Sequence, residues 1–539
     1  MRRWNGWGDN ATSMDLNHNA RAMLAQRLGP GHPGRDATRE DILARIGPSR
    51  LNGAHPLIQT DVATRFAMAL GESFADWIRK RFGALPPVPD GVAFVESAEQ
   101  VRELLDLAQT HGWMVIPFAG GTSVAGHLDC PISQRPILSI NLTRLNQLLH
   151  LDRHSQLATF GAGTPGPMVE AQLRAHGYTL GHFPQSFEYS TVGGWVVTRS
   201  SGQQSLRYGR IEQLFAGGRM ETPVGTLNIP TLPASSAGPD LRELVMGSEG
   251  RFGILTKATV RVTPLPEHES FHAIFLPDWD AAEAAVRTLV QRKLPLSMMR
   301  LSNGIETETN LTLAGHARLI AWLERYLAFR GCGEGKCMLM LGVTADRRTA
   351  RHVLKEARHT LNRHGAVYIG TAMGAKWAAN RFKGPYLRNT LWDEGYSADT
   401  IETAVDWPNV KPLMLAMEQA SRDVFAQYGE RVHAFTHLSH LYPQGSSIYS
   451  QFVWATAPGG FAPNFERWGK LKAAVAAAIA AHGGTVSHQH GVGRDHAAHL
   501  KDEKGPLGMA TLTELCRHFD PKRIMNPGKL LQDEGPWAT

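Results

Sequence analysis

Residues 114–124 read Met-Val-Ile-Pro-Phe-Ala-Gly-Gly-Thr-Ser-Val. The first five are apolar and short enough for a buried strand, which the chain leaves at once for a glycine turn. Gly120 and Gly121 let the backbone approach a ligand with no Cβ in the way, and consecutive N–H groups in such a turn make an anion-binding nest. The spacing is neither G-x-G-x-x-G nor G-x-x-x-x-G-K-[ST], so neither a Rossmann fingerprint nor a P-loop follows. Taken alone, the stretch is equally an ordinary strand-to-loop turn.

Two more glycine-bearing segments stand downstream. QSFEYSTVGG (185–194) runs into VVTRSSG (196–202), and GSEGRFGILT covers 247–256. One extended, phosphate-bearing ligand would need several such backbone approaches at once, with Ser and Thr hydroxyls adding hydrogen bonds. Around these segments strands and helices alternate. The pattern predicts a helix over 98–110 capped by Ser97, strands over 137–141 and 157–160, a helix over 166–176 opened by Pro167, and a closing strand over 254–262. A further helix is predicted over 61–82, ended by Pro86-Pro87-Val88-Pro89. The chain divides accordingly into an N-terminal helical extension, 1–85, and a glycine-rich ligand domain, 86–266. A second domain, 267–464, mixes strands with helices over 280–292 and 347–363. The last segment, 465–539, opens on an Ala-rich helix and returns to a glycine-dense stretch.

Composition bounds the function. A chain of 539 residues calls for two or more cores. Lys plus Arg number 56 against 49 Asp plus Glu, a net charge of +7, yet no block of five or six like charges marks a nucleic-acid arm. At 19% charged and 42% apolar the chain is a folded one. Four cysteines (Cys130, Cys332, Cys337 and Cys516) are too few for a disulfide scaffold, and Cys332 and Cys337 lack the second pair a zinc site needs. Residues 1–10 carry two arginines with no apolar run behind them, so no secretory signal is expected. The longest apolar run, 473–481, is too short for a bilayer, and the terminal Gly-Pro-Trp-Ala-Thr matches neither a prenylation box nor a peroxisomal address. A soluble, cytoplasmic protein is expected, with a pI near 9.2 that permits attraction to anionic lipid surfaces or to an anionic substrate.

Ser487-His488-Gln489-His490-Gly491-Val492-Gly493 forms a second constellation. If the stretch is extended, alternation puts His488 and His490 on one face, an arrangement suited to proton transfer near neutral pH. Gln489 between them cannot titrate. A metal pair is the competing reading, but no carboxylate or Cys stands at a ligand spacing, so no metal is expected. Upstream, GSSIYSQFVW (445–454) alternates like a strand with Tyr449, Gln451 and Val453 on one face, where Tyr449 reads as an ordinary core tyrosine with a tethered hydroxyl.

The ordered segments PFAGGTSVAGHLDCP (117–131), STVGGWVVTRSSG (190–202), YGRIEQL (208–214) and GSEGRFGILTKATVRVTPLPE (247–267) resemble the FAD-binding domain of the vanillyl-alcohol oxidase flavoprotein superfamily. WNGWG (4–8), PYLR (385–388), ETAVDW (402–407) and SHQHGVG (487–493) resemble, within it, the alkyldihydroxyacetonephosphate synthase family. The resemblance implies an α+β fold. A two-part PCMH-type FAD-binding domain would occupy 86–266, and a cap domain with an antiparallel sheet and flanking helices 267–464. The segment 465–539 would return to the FAD site. It further implies that Pro117, Phe118, Ala119, Gly120, Gly121, Thr122, Ser123 and Val124 wrap the FAD pyrophosphate. Ser190, Thr191, Val192 and Gly193 would line the isoalloxazine and ribityl region, with Ser186, Thr198, Ser200 and Ser201 nearby. Glu249, Gly250, Gly253 and Ile254 would complete the adenine side. Many members attach FAD through a histidine in the first glycine loop. This chain has Thr122 there, so FAD is expected to be non-covalent, and His127 reads as a surface-loop histidine. Gln185 stands where the family has an aspartate.

By the same resemblance, Tyr449 is the catalytic tyrosine, a phenol lowered from its usual pKa of about 10 to serve as acid or base. His488 and His490 move protons, Arg388 grips a substrate phosphate, and Arg300 lies at the active site. His437 and His440 read equally as part of that wall or as structural. The implied activity exchanges the acyl group of acyl-dihydroxyacetone phosphate for a fatty alcohol through a flavin N5 adduct, as in ether-lipid synthesis, with no net electron transfer. Gln489 replaces the middle of three family histidines. That departure keeps an alternative open, in which a 2-hydroxy acid or aryl alcohol gives hydride to flavin N5, a histidine is the base, and Arg300 or Arg388 holds a carboxylate. The expected partners are a small-molecule or lipid substrate and a second copy in a homodimer, with peripheral membrane contact and no nucleic acid.

Overall fold

The structure is a computed structural model that describes residues 2–532; the terminal pentapeptide 535–539 lies outside them. The stretch that opens the sequence reading forms a strand and the turn after it. Strand β3 (Met114–Phe118) is the edge of a four-stranded sheet with β1 (Ile58–Gln59), β2 (Gly91–Phe94) and β4 (Ile137–Asn141), in the order β1-β2-β4-β3. β2, β4 and β3 run parallel. Parallel strands are covered on both faces, hence their continuous apolar runs. Helix Ala98–His111, capped by the Ser97 hydroxyl, packs Val101, Leu104, Leu105 and Ala108 into this core. The free edge of β3 is not left to solvent: Val115 N–H donates to Ile524 O at 2.7 Å and Asn526 N–H donates to Val115 O at 2.8 Å. The end of the chain is thereby laid beside the strand that feeds the glycine turn.

A second, antiparallel sheet follows, with β5 (Leu148–Asp152), β6 (Leu157–Gly161), β8 (Phe215–Thr222), β9 (Gly225–Ile229) and β10 (Ile254–Arg261) in the order β5-β6-β10-β8-β9. The two-residue strands β7 (Tyr178–Thr179) and β11 (Thr263–Pro264) pair beside it. The short helix Val192–Val197 sinks Val192, Trp195 and Val196 into the same core.

The third sheet is antiparallel and seven-stranded: β12 (His268–Leu276), β13 (Met298–Ser302), β14 (Cys337–Ala345), β15 (Val367–Gly370), β16 (Tyr396–Asp406), β17 (Val432–Leu438) and β18 (Gly445–Ala455), ordered β15-β12-β14-β13-β17-β18-β16. Helices Trp279–Gln291, Arg347–Asn362, Trp407–Ala426 and Phe461–Ala481 contribute side chains to the large core on one of its faces. The other face mixes apolar side chains, such as Phe435 and Val453, with polar ones. Register sets a row there, with Glu402 on β16 opposite Tyr449 on β18, and Tyr449 opposite His437 on β17.

Two sequence expectations fail locally. The helix predicted over 61–82 is broken into Val62–Ala67 and Phe74–Phe82, because the chain between them docks on the glycine turn. Glu72 N–H donates to Ser123 O at 2.7 Å, and a Cβ on Gly71 would meet that same carbonyl oxygen at 2.8 Å. The stretch 487–493 is a series of bends and not a strand, since its side chains converge on one buried carboxylate instead of alternating.

Candidate active site

The three glycine-bearing segments meet around one cavity of about 570 Å³. None of the backbone N–H groups of residues 120–124 has a partner among the described residues, which leaves them free for a ligand. Gly121 has φ +65° and Gly250 φ +78°, a left-handed backbone that glycine adopts without strain. Gly120 is required by proximity, because a Cβ there would stand 2.2 Å from Tyr189 O. The loops are tied from behind by the buried Glu249. Its carboxylate accepts from Val492 N–H (2.6 Å) and Gly493 N–H (2.7 Å) and lies 2.9 Å from His127 Nε2. Asn526 Nδ2 donates to Glu249 O at 2.7 Å. A single residue, through its carboxylate and its backbone carbonyl, thus joins the first glycine loop, the third, the histidine-bearing segment and the end of the chain.

The seven-stranded sheet supplies the opposite wall, organised by two buried glutamates. Glu306 accepts from Arg300 Nη2 (2.7 Å) and Gln451 Nε2 (3.0 Å) and pairs with His437 Nδ1 (2.9 Å). Burial opposes its ionisation, but His437 and Arg300 hold the carboxyl far below the usual range. Glu402 pairs with His488 Nδ1 (3.1 Å), accepts from Gln489 Nε2 (2.5 Å), and has His490 Nε2 at 3.9 Å. Against the burial penalty, His488, then His440 and His490, keep Glu402 ionised. Tyr449 stands between the two glutamates, stacked on His437 at 4.7 Å and meeting His490 edge-on at 6.1 Å. Desolvation pushes its phenol up to about 12, with the Thr400 hydrogen bond opposing and Glu402 adding. At neutral pH Tyr449 is therefore a proton donor. Burial lowers the His490 pKa, and Glu402 recovers only part of the shift, so the ring is a neutral acceptor under the same conditions.

Arg388 lies flat on Trp77 at 4.0 Å and donates through Nη1 to Glu72 O at 2.9 Å. Its Nη2 is buried and finds no hydrogen-bond partner among the described residues. A guanidinium N–H left unpaired in a low-dielectric site is costly unless an anion meets it. Beyond it the cavity turns apolar, lined by Met14, Leu313, Leu387, Leu391 and Phe435.

Of the residues expected at the site, Pro117, Phe118, Ala119, Gly120, Gly121, Thr122, Ser123, Val124, Ser186, Ser190, Thr191, Gly193, Thr198, Ser200, Ser201, Glu249, Gly250, Gly253, Ile254, Arg300, Arg388, Tyr449 and His490 all line this cavity. Four expectations need correction. Val192 is turned into the apolar core of the second sheet, where its own helix needs it. His488 is not on the cavity wall. It lies behind Glu402, where its Nε2 accepts from Arg210 Nη1 (2.6 Å) and Tyr442 Oη (2.7 Å). Tyr449 is raised, not lowered, because enclosure disfavours the phenolate. His127 is 6% exposed, held by Ser123 Oγ at 2.6 Å and by Glu249.

Sequence reasoning gave no role to Glu402, Glu306 or Arg210, although Glu402 and Arg210 stand inside the ETAVDW and YGRIEQL segments that carry the resemblance. Glu402, His440 and His488 gather their ligand-type atoms within 4.8 Å, the carboxylate that the spacing of the histidines did not reveal. With two donors on its Nε2, however, His488 carries its proton on Nδ1 toward Glu402, and that nitrogen offers a cation no lone pair.

Residues 89–228 match the family described as "FAD binding domain", and residues 265–530 match "FAD linked oxidases, C-terminal domain". The chain is 28% identical to alkyldihydroxyacetonephosphate synthase of Trypanosoma brucei brucei, covering 100% of this chain and 94% of that one. It is 30% identical to the enzyme of the same name from Dictyostelium discoideum, covering 88% and 78%. A solved structure of alkyldihydroxyacetonephosphate synthase superposes with a TM-score of 0.83 at 26% identity, covering 98% of both chains.

The residues present fit FAD. The free N–H groups of residues 120–124 suit a pyrophosphate, the glycine approaches leave room for an extended dinucleotide, and both ring nitrogens of His127 face protein partners. The Cβ of a Gly120→Ala variant must displace the Tyr189 backbone. Overpacking of this kind costs about 1–3 kcal/mol, so FAD binding to the apoprotein, followed by flavin fluorescence, weakens roughly tenfold or more. An unchanged Kd would remove this loop from the cofactor site.

Proposed function

Because this chain belongs to the alkyldihydroxyacetonephosphate synthase family of FAD-linked flavoenzymes, we propose that it exchanges the acyl group of an acyl-dihydroxyacetone phosphate for a long-chain alcohol. The product is the ether bond of an ether lipid, and no net electrons are transferred. The observation that carries the reading is the single cavity in which a glycine cradle, an unpaired buried guanidinium, a proton-bearing wall and an apolar arm adjoin.

FAD would be held without a covalent bond by residues 117–124, 190–193 and 249–254, and it supplies a nucleophilic ring nitrogen that no side chain here replaces. Arg388 binds the substrate phosphate through the N–H it keeps free. Tyr449, protonated, donates toward the departing carboxylate oxygen, and neutral His490 takes the hydroxyl proton of the incoming alcohol. Glu402 fixes His490 and Gln489, and His488 with Arg210 fixes Glu402 from behind. Glu306 does the same for Arg300 and His437, the ring on which Tyr449 is stacked. Gln489 fits an exchange site, because its amide spans Glu402 and Ser201 N–H without titrating. The test is incubation of the FAD-loaded protein with palmitoyl-dihydroxyacetone phosphate and labelled hexadecanol. Label is expected in an alkali-stable product, with one fatty acid released for each. No such product would overturn the reading.

Peripheral contact with a lipid surface belongs to the same proposal. Its support is helix Ala317–Phe329, which begins four residues after the cavity-lining Leu313. It exposes Leu319 (66%), Trp322 (71%) and Phe329 (87%) beside the exposed Arg318 and Arg325. No described helix is long and apolar enough to cross a membrane. Burying an apolar side chain is worth about 1.5–3 kcal/mol, so the double substitution Trp322→Glu and Phe329→Glu should weaken sedimentation with anionic vesicles more than tenfold. Unaltered sedimentation would contradict it.

A further inference from the structure

An indole N–H can only donate, and a buried tryptophan ordinarily finds an acceptor for it. Trp7 and Trp77 do not. Trp7 is 5% exposed and Trp77 2% exposed, and both line the reaction cavity. Neither Nε1 has a hydrogen-bond partner among the described residues. Arg388 Nη2, in the same cavity, is in the same condition. The mechanism above uses neither indole N–H.

Contacts join the three residues in a closed ring. The Arg388 guanidinium lies 4.0 Å from the centre of the Trp77 ring, and Arg81 lies over the same ring at 5.4 Å. Arg81 Nη2 in turn stands 3.2 Å from the position of a Cβ on Gly6. The next residue, Trp7, is gripped by Asn389, the neighbour of Arg388. Trp7 N–H donates to Asn389 Oδ1 and Asn389 Nδ2 donates to Trp7 O, both at 3.0 Å, across 382 residues of sequence. That grip needs glycine at position 6, where a Cβ would meet Asn389 Oδ1 at 2.5 Å. Tyr189 meets the Trp7 ring edge-on, with centroids 5.8 Å apart and planes at 87°. The WNGWG segment is thereby fixed against the helix Leu387–Asp393 that carries Arg388.

A phosphate monoester brings close to two negative charges at neutral pH and three strong acceptor oxygens. One N–H from Arg388 does not satisfy it in an enclosed site, where an oxygen left bare is costly. We infer that Trp7 Nε1 and Trp77 Nε1 donate, together with Arg388 Nη2, to the phosphate of the substrate. This rests on the exchange reading. Indole suits the place because it donates without adding charge, so the guanidinium keeps its own. The three donors also favour a phosphorylated substrate. A carboxylate offers one charge and two oxygens where the site presents donors for more, and a buried donor left unpaired is what rejects the wrong ligand.

The experiment titrates dihydroxyacetone phosphate into the FAD-loaded wild type, Trp7→Phe and Trp77→Phe proteins by calorimetry, with the FAD Kd measured beside it. Each substitution removes one indole N–H and keeps a ring to meet Tyr189 or Arg388. Each variant should bind dihydroxyacetone phosphate roughly tenfold more weakly, with the FAD Kd unaltered. Added to Arg388→Met, either substitution should cost less than it does alone, because the anion is then no longer seated against the indole. Unphosphorylated dihydroxyacetone should bind equally poorly to all of them. Wild-type affinity for dihydroxyacetone phosphate in either variant would overturn the assignment. So would a loss matched by an equal loss of FAD affinity, which would give the N–H to the cofactor or to the fold. If Trp77→Phe fails to fold, Trp7→Phe decides alone. A wild type that binds dihydroxyacetone phosphate and makes no ether product would instead sink the exchange reading and leave the phosphate site standing.

Discussion

Replacing Tyr449 by Phe is expected to slow acyl-for-alkyl exchange by about 10²–10⁴-fold while FAD stays bound. The register of β16, β18 and β17 places Tyr449 between Glu402 and His437, so its position is set by three strands and not by a loop. With its pKa raised to about 12, the phenol holds its proton throughout the physiological range and can act only by giving it up to a group that becomes more basic during the reaction. Phe keeps the ring stacked on His437, leaves no cavity and removes only the hydroxyl. A hydrogen bond of this kind contributes about 1 kcal/mol to stability, so a melting curve should barely move. The comparison is kcat at saturating FAD against the wild type. A value within about twofold would take Tyr449 out of the proton path.

Arg388→Met is expected to raise KM for the phosphorylated substrate by about 10–100-fold, since a hydrogen bond to a charged group is worth about 1.5–3 kcal/mol and each 1.4 kcal/mol is tenfold. Desolvation lowers the Arg388 pKa, but guanidinium remains charged at any working pH. Its plane is fixed by Trp77 and one N–H by Glu72 O, which leaves Nη2 aimed and unpaired. Met fills the space and retains the contact with Trp77, so FAD content should not change. A substrate analogue lacking the phosphate should react equally poorly with both proteins. An unchanged KM for the phosphorylated substrate would move phosphate recognition elsewhere.

What the sequence made legible was local. The strand-to-glycine turn at residues 114–124, the Ser97-capped helix and the alternation through Tyr449 each depend on neighbours a few residues away, and each formed. Groups that depend on distant pairing were invisible. Glu402 meets His488 across 86 residues, and Glu306 meets His437 across 131. No local spacing marks either glutamate as the centre of a cluster. The same blindness explains the failures. A periodicity that favours one helix over 61–82 says nothing of Ser123 O, which needs the Glu72 N–H. The Ser487–Gly493 motif has no internal reason to bend until Glu402 draws three of its side chains together. His127 looked solvent-facing because its partner, Glu249, is 122 residues downstream.

Anaerobic absorbance of the FAD-loaded protein, recorded while acyl-dihydroxyacetone phosphate and a fatty alcohol are converted, tests most directly whether the cradle and the proton-bearing wall work as one redox-neutral site. The account predicts ether product and free fatty acid in equal amounts, with the oxidised-flavin band restored at completion and no electron acceptor consumed. Lasting bleaching of that band by a 2-hydroxy acid or an aryl alcohol, with no ether formed from the first pair of substrates, would contradict it.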